Sequence, residues 1–265
     1  MWQQSQDIEG WIYMSRIEEA FQNTKAFIGF LTAGDPSLDK TEEYIVEMER
    51  AGAALIEIGI PFSDPIAEGT VISEANVRAL SVPGGCTTDM VFDMVERVSK
   101  RVSVPLVLST YLNPVFKYGY EAFCKRCSEV GISGILIPDM PYEEKEELVP
   151  VADKYDVDVI SMIAPAGEER IRMIAKEAKG FIYVVSPAER KADVSGIVEH
   201  IRQVTDTPVV IGTASGTCEQ IGKDAALADG CIAENAIVKI IGEYGGNAGG
   251  HIYDYVKSVV EGRNQ

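Results

Sequence analysis

The sequence predicts an α/β protein folded as a (β/α)8 (TIM) barrel with an extra N-terminal helix. Short apolar runs rich in β-branched residues recur eight times in the 265 residues, and a stretch of helix length follows each run. Runs that are apolar on both faces are typical of parallel strands covered by helices. Eight such units in about 250 residues match the size of a barrel. No linker divides the chain, so we expect residues 1–265 to form one domain, with residues 1–13 as an extension.

The elements can be placed in order along the chain. In the segment SRIEEAF, Ser15 stands three residues before Glu18, a capping box that predicts a short helix ahead of the first strand. The strands are predicted at residues 26–32, 55–60, 105–111, 134–139, 157–164, 180–186, 207–213 and 230–234.

Two segments between these strands need separate interpretation. Acidic residues open the helix predicted at 142–155, but Pro150 should kink or split it, because proline removes a backbone donor and clashes with the preceding turn. The glycine-rich segment 242–250 is typical of a loop, here between two terminal helices.

Composition excludes several classes of function. A formal net charge of −17 disfavours binding to nucleic acid or to anionic membranes, which requires clustered lysine and arginine. The sequence contains neither an apolar run of about 18 residues nor a basic and apolar leader, so no transmembrane helix or signal peptide is expected. We therefore expect a soluble cytoplasmic enzyme that acts on a small metabolite.

The cysteines do not predict a disulfide framework. There are 5, an odd number scattered over the chain, which indicates a reducing compartment. Cys124 and Cys127 have a CxxC spacing, but they lie within a helical pattern. We expect both to be partly buried helix residues rather than a redox or metal site.

The clearest candidates for catalysis lie in LIEIGIPFSDPIAEG, residues 55–69. Glu57 stands inside an apolar strand, where a carboxylate is costly to bury unless it is paired or serves as a site. The alternative is a carboxylate satisfied by backbone donors or by a cation. Two prolines stiffen the following turn, which carries Asp64 and Glu68 back toward the strand end. Two acids in different environments can divide acid and base roles.

Seven motifs carry a resemblance that covers nearly the whole chain from Met14 onward. In order they are SRIEEAF, AFIGFLTAGDPS, LIEIGIPFSDPIAEG, TYLNPVFKYG, PDMPYEE, GFIYVVS and ENAIVKII. Together they resemble the tryptophan synthase alpha subunit family. The resemblance implies a (β/α)8 fold and a lyase of tryptophan biosynthesis that cleaves indole-3-glycerol phosphate to indole and glyceraldehyde 3-phosphate by a retro-aldol reaction. It also implies no cofactor or metal in this chain, and a heterotetramer with a pyridoxal-phosphate-dependent beta subunit that receives the indole.

The resemblance implies roles for six residues. Glu57 would move protons at indole C3 and at the neighbouring hydroxyl, and Glu68 would accept the indole N–H where the family usually has aspartate. Tyr183 would line the pocket beside Glu57, and Tyr111 would form the wall near the indole; ordinary core packing is the alternative for both. Asp64 and Asn113 would lie near the subunit interface, with local turn hydrogen bonds as the alternative.

The phosphate end departs from the family pattern. In the family, glycine-rich turns after strands six, seven and eight hold the phosphate. Here the first of these loops is shortened to SPAERKADVSG, residues 186–196. In the second, Gly212 remains, but Ala214 adds a Cβ where a glycine is typical. In the third, Glu234 and Asn235 replace the usual Gly-Ser pair.

Glu234 is the most consequential of these changes. A carboxylate about 5 Å from a phosphate costs roughly 3 kcal/mol per phosphate charge at an effective dielectric near 20. We therefore expect weak phosphate binding unless Glu234 turns outward or pairs with Arg190 or Lys191.

Three hypotheses follow from this division between an intact acid end and an altered phosphate end. The first is a working alpha subunit with a rearranged phosphate site. The second is a paralogue that acts on an indole-like substrate without phosphate. The third is a non-catalytic regulatory or scaffold subunit. The number of matching motifs favours the first.

Overall fold

Eight parallel strands form a closed barrel in which each strand pairs with its neighbours in sequence order, and β8 closes onto β1. The structure is a computed structural model that describes residues 15–22, 25–185, 194–213 and 216–262. The strands are β1 Ala26–Thr32, β2 Leu55–Gly59, β3 Leu106–Ser109, β4 Ile132–Leu136, β5 Asp158–Ile163, β6 Ile182–Val184, β7 Val209–Gly212 and β8 Gly230–Ala233. Each overlaps one predicted run, so the predicted barrel is confirmed.

Helices surround the barrel. They are α1 Arg16–Glu19, α2 Leu38–Arg50, α3 Thr70–Leu80, α4 Thr88–Val98, α5 Leu112–Tyr118, α6 Tyr120–Val130, α7 Val149–Asp153, α8 Glu168–Lys176, α9 Val194–Arg202, α10 Cys218–Leu227, α11 Glu234–Tyr244 and α12 Gly249–Gly262. The predicted capping box is present at α1, where the Ser15 hydroxyl accepts from the Glu18 N–H and the Glu18 carboxylate accepts from the Ser15 N–H. The extra N-terminal helix is thereby confirmed.

The barrel interior is filled by every second residue of the strands, as the pleat requires. Ile28 and Phe30 of β1, Leu55 of β2 and Val107 of β3 belong to this inner cluster. In the strand register Glu57 pairs with Phe30 on one side and with Val107 on the other. The sheet therefore holds the Glu57 side chain in the same inner layer as these apolar residues.

The predictions for segments 142–155 and 242–250 have different outcomes. Pro150 divides its segment as expected, because a 3-10 helix at Tyr142–Glu147 ends before α7, and Pro150 lies in the first turn of α7. The prediction of a loop over 242–250 was too long. Helix α11 continues to Tyr244, and only a 3-10 turn at Gly245–Asn247 precedes α12. Buried Val238 and Ile241 keep α11 helical, and Gly245 ends it with a positive φ of 51°.

Two further predictions can be compared with the structure. Cys124 and Cys127 are buried in α6 within the layer between helices and sheet, so the prediction of helix residues is confirmed. Within the described ranges, no helix is both long and apolar enough to cross a membrane. The proposed extension at residues 1–13 lies outside the described residues.

Asp158 provides a prediction about stability. It begins β5, its Oδ2 atom is buried without a hydrogen-bond partner in the described structure, and burial raises its pKa to about 6 against the opposing hydrogen bond from Ser15. The folded pKa lies above the unfolded value of about 3.9, so the folded state binds more protons between these two values. Stability should therefore fall as pH rises from about 4 to 6 and stay lower above that window.

We expect Asp158→Asn to raise the free energy of unfolding at pH 8 by about 1 to 2 kcal/mol, a figure reduced for the partial exposure of the side chain. Urea unfolding at pH 4.5 and pH 8 measures the effect. Asp254→Asn on the exposed face of α12 is the matched control. Equal stability of Asp158→Asn and wild type at pH 8 would contradict the prediction.

Candidate active site

Glu57 is the middle residue of β2 and lies in the inner layer of the barrel; barrel enzymes carry their sites at the carboxyl ends of the strands, where the loop after β2 begins. Its side chain is 1% exposed, and its Oε2 atom has no hydrogen-bond partner among the described residues. Burial raises the pKa of Glu57 to about 8, the charge of Glu234 adds to the rise, and a hydrogen bond from Ser109 opposes it. Glu57 is therefore largely a neutral carboxylic acid at pH 7, ready to donate a proton.

Glu68 is the second acid at this end of the barrel. It lies in the loop after β2, and its Oε2 atom is buried without a partner in the described structure. Burial raises the pKa of Glu68, and a hydrogen bond with Tyr111 opposes the rise. The Tyr111 hydroxyl also accepts from the Ala67 N–H at 2.9 Å, and its ring stacks on Phe62 at 5.2 Å between centroids. The turn thus returns to the barrel mouth, and Tyr111 is the residue that fixes it there.

Tyr183 of β6 contacts Gly212 of β7 and Glu234, the first residue of α11. Its side chain is 5% exposed, and its hydroxyl donates to Oε1 of Glu234 at 2.8 Å. The ring lies directly over Gly212 of β7, where an added Cβ would come within 2.8 Å of the Tyr183 Cζ atom. Gly212 therefore leaves the space that the Tyr183 ring occupies.

Gly212→Ala should displace Tyr183 from its hydrogen bond with Glu234 and lower catalytic activity about tenfold or more, because small misplacements in a site are costly. Gly222→Ala is a matched control inside α10, since no atom lies within 4 Å of the added Cβ there. Alanine at that position should leave activity unchanged and slightly favour the helix. Circular dichroism and steady-state rates measure both variants. Wild-type rates from Gly212→Ala would show that the position of Tyr183 does not matter.

Further polar atoms without partners line the same mouth. Besides the two acids, the buried oxygens without a hydrogen-bond partner in the described ranges include Thr32 Oγ1, Thr110 Oγ1 and Asn235 Oδ1. Buried polar atoms are nearly always paired in native proteins, so a group of unpaired ones indicates a site for a polar ligand. Thr32 and Thr110 were missed from the sequence, although alternation from Ile28 and Phe30 would have placed Thr32 inward.

Glu234 does not take the outward orientation that the sequence left open. It is the first residue of α11, and its carboxyl bonds inward to Tyr183 instead of turning outward. Burial raises its pKa, and the hydrogen bond from Tyr183 opposes the rise. The possible partners Arg190 and Lys191, residues 186–193 of the shortened loop, and Ala214 all lie outside the described residues.

The two predicted interface residues lie on exposed segments that follow β2 and β3. Asp64 is exposed and accepts from the Ser63 hydroxyl at 2.6 Å, and Asn113 is exposed in the first turn of α5. On the same two segments, Ile66 is 80% exposed and Phe116 is 67% exposed. Large apolar side chains in such positions are typical of contact surfaces, and sequence reasoning missed both.

No group of three or more histidine, cysteine or acidic side chains in the described part of the chain could hold a metal ion. A cavity of about 670 Å³ lies outside the barrel, between the 3-10 helix Tyr142–Glu147, α7 and β5. None of the residues predicted for the site lines it. We place the site at the barrel mouth because the buried acids and the unpaired polar atoms are there.

Comparisons with known proteins agree with the fold. The model of the tryptophan synthase alpha chain family matches residues 17–261. The alpha chain of Lacticaseibacillus casei is 43% identical over 253 residues, 93% of this chain and 94% of the relative. The alpha chain of Alkaliphilus metalliredigens is 39% identical over 240 residues, 86% of this chain and 90% of the relative.

Solved structures agree as well. A chain of tryptophan synthase from M. tuberculosis superposes with a TM-score of 0.87 at 27% identity, covering 96% of this chain and 100% of that one. A chain from the Pyrococcus furiosus tryptophan synthase α2β2 complex gives a TM-score of 0.84 at 30% identity, covering 90% of this chain and 98% of that one. These findings support the first of the three hypotheses and neither of the others. The chain belongs to the tryptophan synthase alpha chain family.

Proposed function

We propose that the barrel mouth cleaves indole-3-glycerol phosphate to indole and glyceraldehyde 3-phosphate, as a carbon–carbon lyase of the tryptophan synthase alpha type. The observation that carries the proposal is Glu57, a buried acid with an unpaired oxygen and a pKa of about 8 in the inner layer of the barrel. A group with this pKa can both give and take a proton near neutral pH.

Glu57 serves both proton transfers in the proposed cycle. As a neutral acid it donates its proton to indole C3, and positive charge develops on the ring nitrogen. The resulting carboxylate then removes the proton of the hydroxyl on the adjoining carbon. The carbon–carbon bond breaks as that oxygen forms the aldehyde, and the bonding electrons restore the indole ring. Glu57 ends the cycle protonated, as it began.

Glu68 is proposed to accept the hydrogen bond of the indole N–H while the ring carries positive charge. Its unpaired Oε2 atom and its contact with Tyr111 support this role. The aromatic pair of Tyr111 and Phe62 provides an apolar wall beside it for the indole ring. An ionised carboxylate in a buried mouth stabilises developing positive charge more strongly than water does.

The phosphate is proposed to lie at the beginning of α11. The first N–H groups of a helix have no partner within the helix and attract anions. The Glu234 carboxyl at this helix start accepts from the Tyr183 hydroxyl, and no side chain caps α11. Asn235 follows in the first turn, and its buried Oδ1 atom is unpaired in the described structure. Gly212 belongs to the neighbouring strand end, as does Ala214 by sequence.

A pyridoxal-phosphate-dependent beta subunit is the proposed partner, in a heterotetramer like the α2β2 complex named for the Pyrococcus furiosus structure. The exposed side chains of Ile66 and Phe116 lie beside Asp64 and Asn113 on the rim, so one partner surface could cover them all. Indole leaving the mouth would pass directly to that partner. We place the complex in the cytoplasm because indole-3-glycerol phosphate is a charged metabolite that would not cross a membrane unaided.

Glu68→Asp restores the side chain that the family usually has at this position. We expect it to keep the wild-type turnover number within about twofold, because the shorter carboxylate can reach the same N–H if the loop is unchanged. Steady-state kinetics measure this, with Glu68→Gln as a matched variant that should lose activity. A drop of an order of magnitude in Glu68→Asp would show that the pocket is built around the longer side chain.

The proposed function is tested by indole formation from indole-3-glycerol phosphate, followed with the chain alone and with a saturating beta subunit. We expect measurable turnover alone and a higher rate with the partner. Absence of turnover under both conditions would overturn the proposal. A rate that does not change when the beta subunit is added would support the proposed cleavage and contradict the proposed partner.

A further inference from the structure

Glu234 introduces a third carboxyl into the barrel mouth, opposite the two acids of the proposed mechanism. It is partly buried, its Oε1 atom accepts from the Tyr183 hydroxyl at 2.8 Å, and its charge acts on Glu57 and Glu68. The Tyr183 ring in turn is buried against Gly212. The hydrogen bond therefore links β6 to the start of α11, past the intervening strand β7.

We infer that Glu234 is a positioning residue for the cleavage reaction, which anchors the Tyr183 hydroxyl and keeps the proton on Glu57. This inference rests on the proposed function of Glu57 as the group that gives and takes the proton. It goes beyond that function because it assigns a second carboxyl to hold the first in its donating form.

The anchoring role follows from the contacts of Tyr183. Its hydroxyl makes one hydrogen bond with a described side chain, and that partner is Glu234. Burial of a tyrosine hydroxyl without a partner is costly, so the ring would shift if the acceptor were lost. Glutamine keeps an acceptor oxygen at this position, whereas alanine removes it.

The electrostatic role follows from the groups around Glu57. The acidic groups that act on it are Glu68 in the loop after β2, Tyr183 on β6 and Glu234 on α11. Tyr111 and Asp139 act on Glu68. Two carboxyls that share a buried site cannot both ionise without repulsion, so one of them retains its proton to a higher pH. Glu57 is the more deeply buried of this pair.

The two roles can be separated with Glu234→Gln and Glu234→Ala. Glutamine removes the charge and keeps the acceptor, so kcat at the pH optimum should stay within about twofold of the wild type. In the pH profile of kcat/KM, the limb that reports the ionisation of Glu57 should move down by about one pH unit. Alanine removes both, so the same shift should accompany a kcat about tenfold lower, with KM changed less than kcat. Glu129→Gln on the exposed face of α6 is the matched control.

Tyr183→Phe tests whether the kcat effect passes through Tyr183. It keeps the ring and removes the hydroxyl, so its loss of kcat should match that of Glu234→Ala. The double variant should lose no more than either single variant, because both remove one interaction. Additive losses would mean that Glu234 acts on the substrate directly, which would overturn the positioning role.

A readout independent of activity separates this inference from the proposed function. The infrared carbonyl band of protonated Glu57, identified as the band absent from Glu57→Gln, can be titrated with pH in the wild type and in Glu234→Gln. We expect the band to disappear at a lower pH in Glu234→Gln. An unchanged titration would overturn the inference even if the enzyme is active. A shifted titration in a chain that does not cleave indole-3-glycerol phosphate would overturn the proposed function while supporting the electrostatic role of Glu234.

Discussion

Replacing Glu57 with glutamine should lower kcat for indole formation by about 10²- to 10⁴-fold, because it removes the only group proposed to move both protons. Glutamine has nearly the same shape as glutamate. The native residue is 1% exposed, so the substitution removes almost no contact with solvent. The fold should therefore remain intact and gain stability over the wild type as pH rises from about 4 to 8, because over that window the unfolded wild type releases the Glu57 proton and the folded wild type keeps it. Steady-state assays and circular dichroism measure both expectations.

Glu129→Gln in α6 is the control for this substitution, since it makes the same chemical change on the exposed surface. It should leave kcat within the error of the wild type. If Glu57→Gln retains more than half of the wild-type turnover, Glu57 is a structural residue and the proposed mechanism is wrong.

Arg78→Ala should reduce the free energy of unfolding by about 3 kcal/mol. Two guanidinium nitrogens of Arg78 donate to the two carboxylate oxygens of Asp35, at 2.9 and 2.7 Å. Asp35 is 1% exposed, so removing its partner leaves a buried charge without compensation, although Arg78 itself is partly exposed. The pair joins the loop after β1 to α3, beside the barrel mouth. Urea unfolding measures the loss.

Arg50→Ala is the matched control, because Arg50 makes a salt bridge with Glu47 on the surface of α2 and its side chain is 63% exposed. That change should alter stability by no more than about 0.5 kcal/mol. The double variant Asp35→Ala and Arg78→Ala should lose less than Arg78→Ala alone, since no unpaired charge remains. Equal losses from Arg78→Ala and Arg50→Ala would contradict the buried-charge argument.

The barrel could be predicted from the sequence because each strand is a local apolar run with a helix after it. Glu57 was predicted as a candidate because a single acid inside an apolar strand is costly to bury. In the structure it is in register with Phe30 and Val107. The turn with Glu68 was also predictable, because prolines 61 and 65 restrict it locally. These features depend on spacing over a few residues, which a sequence displays directly.

The contact between Tyr183 and Glu234 could not be predicted in the same way. It joins residues 51 positions apart, and it requires β6, β7 and β8 to pair side by side together with the space left by Gly212. Without that contact, Glu234 could only be judged by its charge, as an obstacle to phosphate. The structure shows a carboxyl drawn into the mouth by a hydroxyl. The exposure of Ile66 and Phe116 was equally hidden, because neither residue breaks a local pattern.

The central claim is that this barrel mouth cleaves the carbon–carbon bond of indole-3-glycerol phosphate through Glu57. The most direct measurement is to quantify indole and glyceraldehyde 3-phosphate together in one reaction with the wild type and with Glu57→Gln. We predict equal amounts of the two products from the wild type and background amounts from Glu57→Gln. Formation of neither product by the wild type, or of both at comparable rates by Glu57→Gln, would contradict the account.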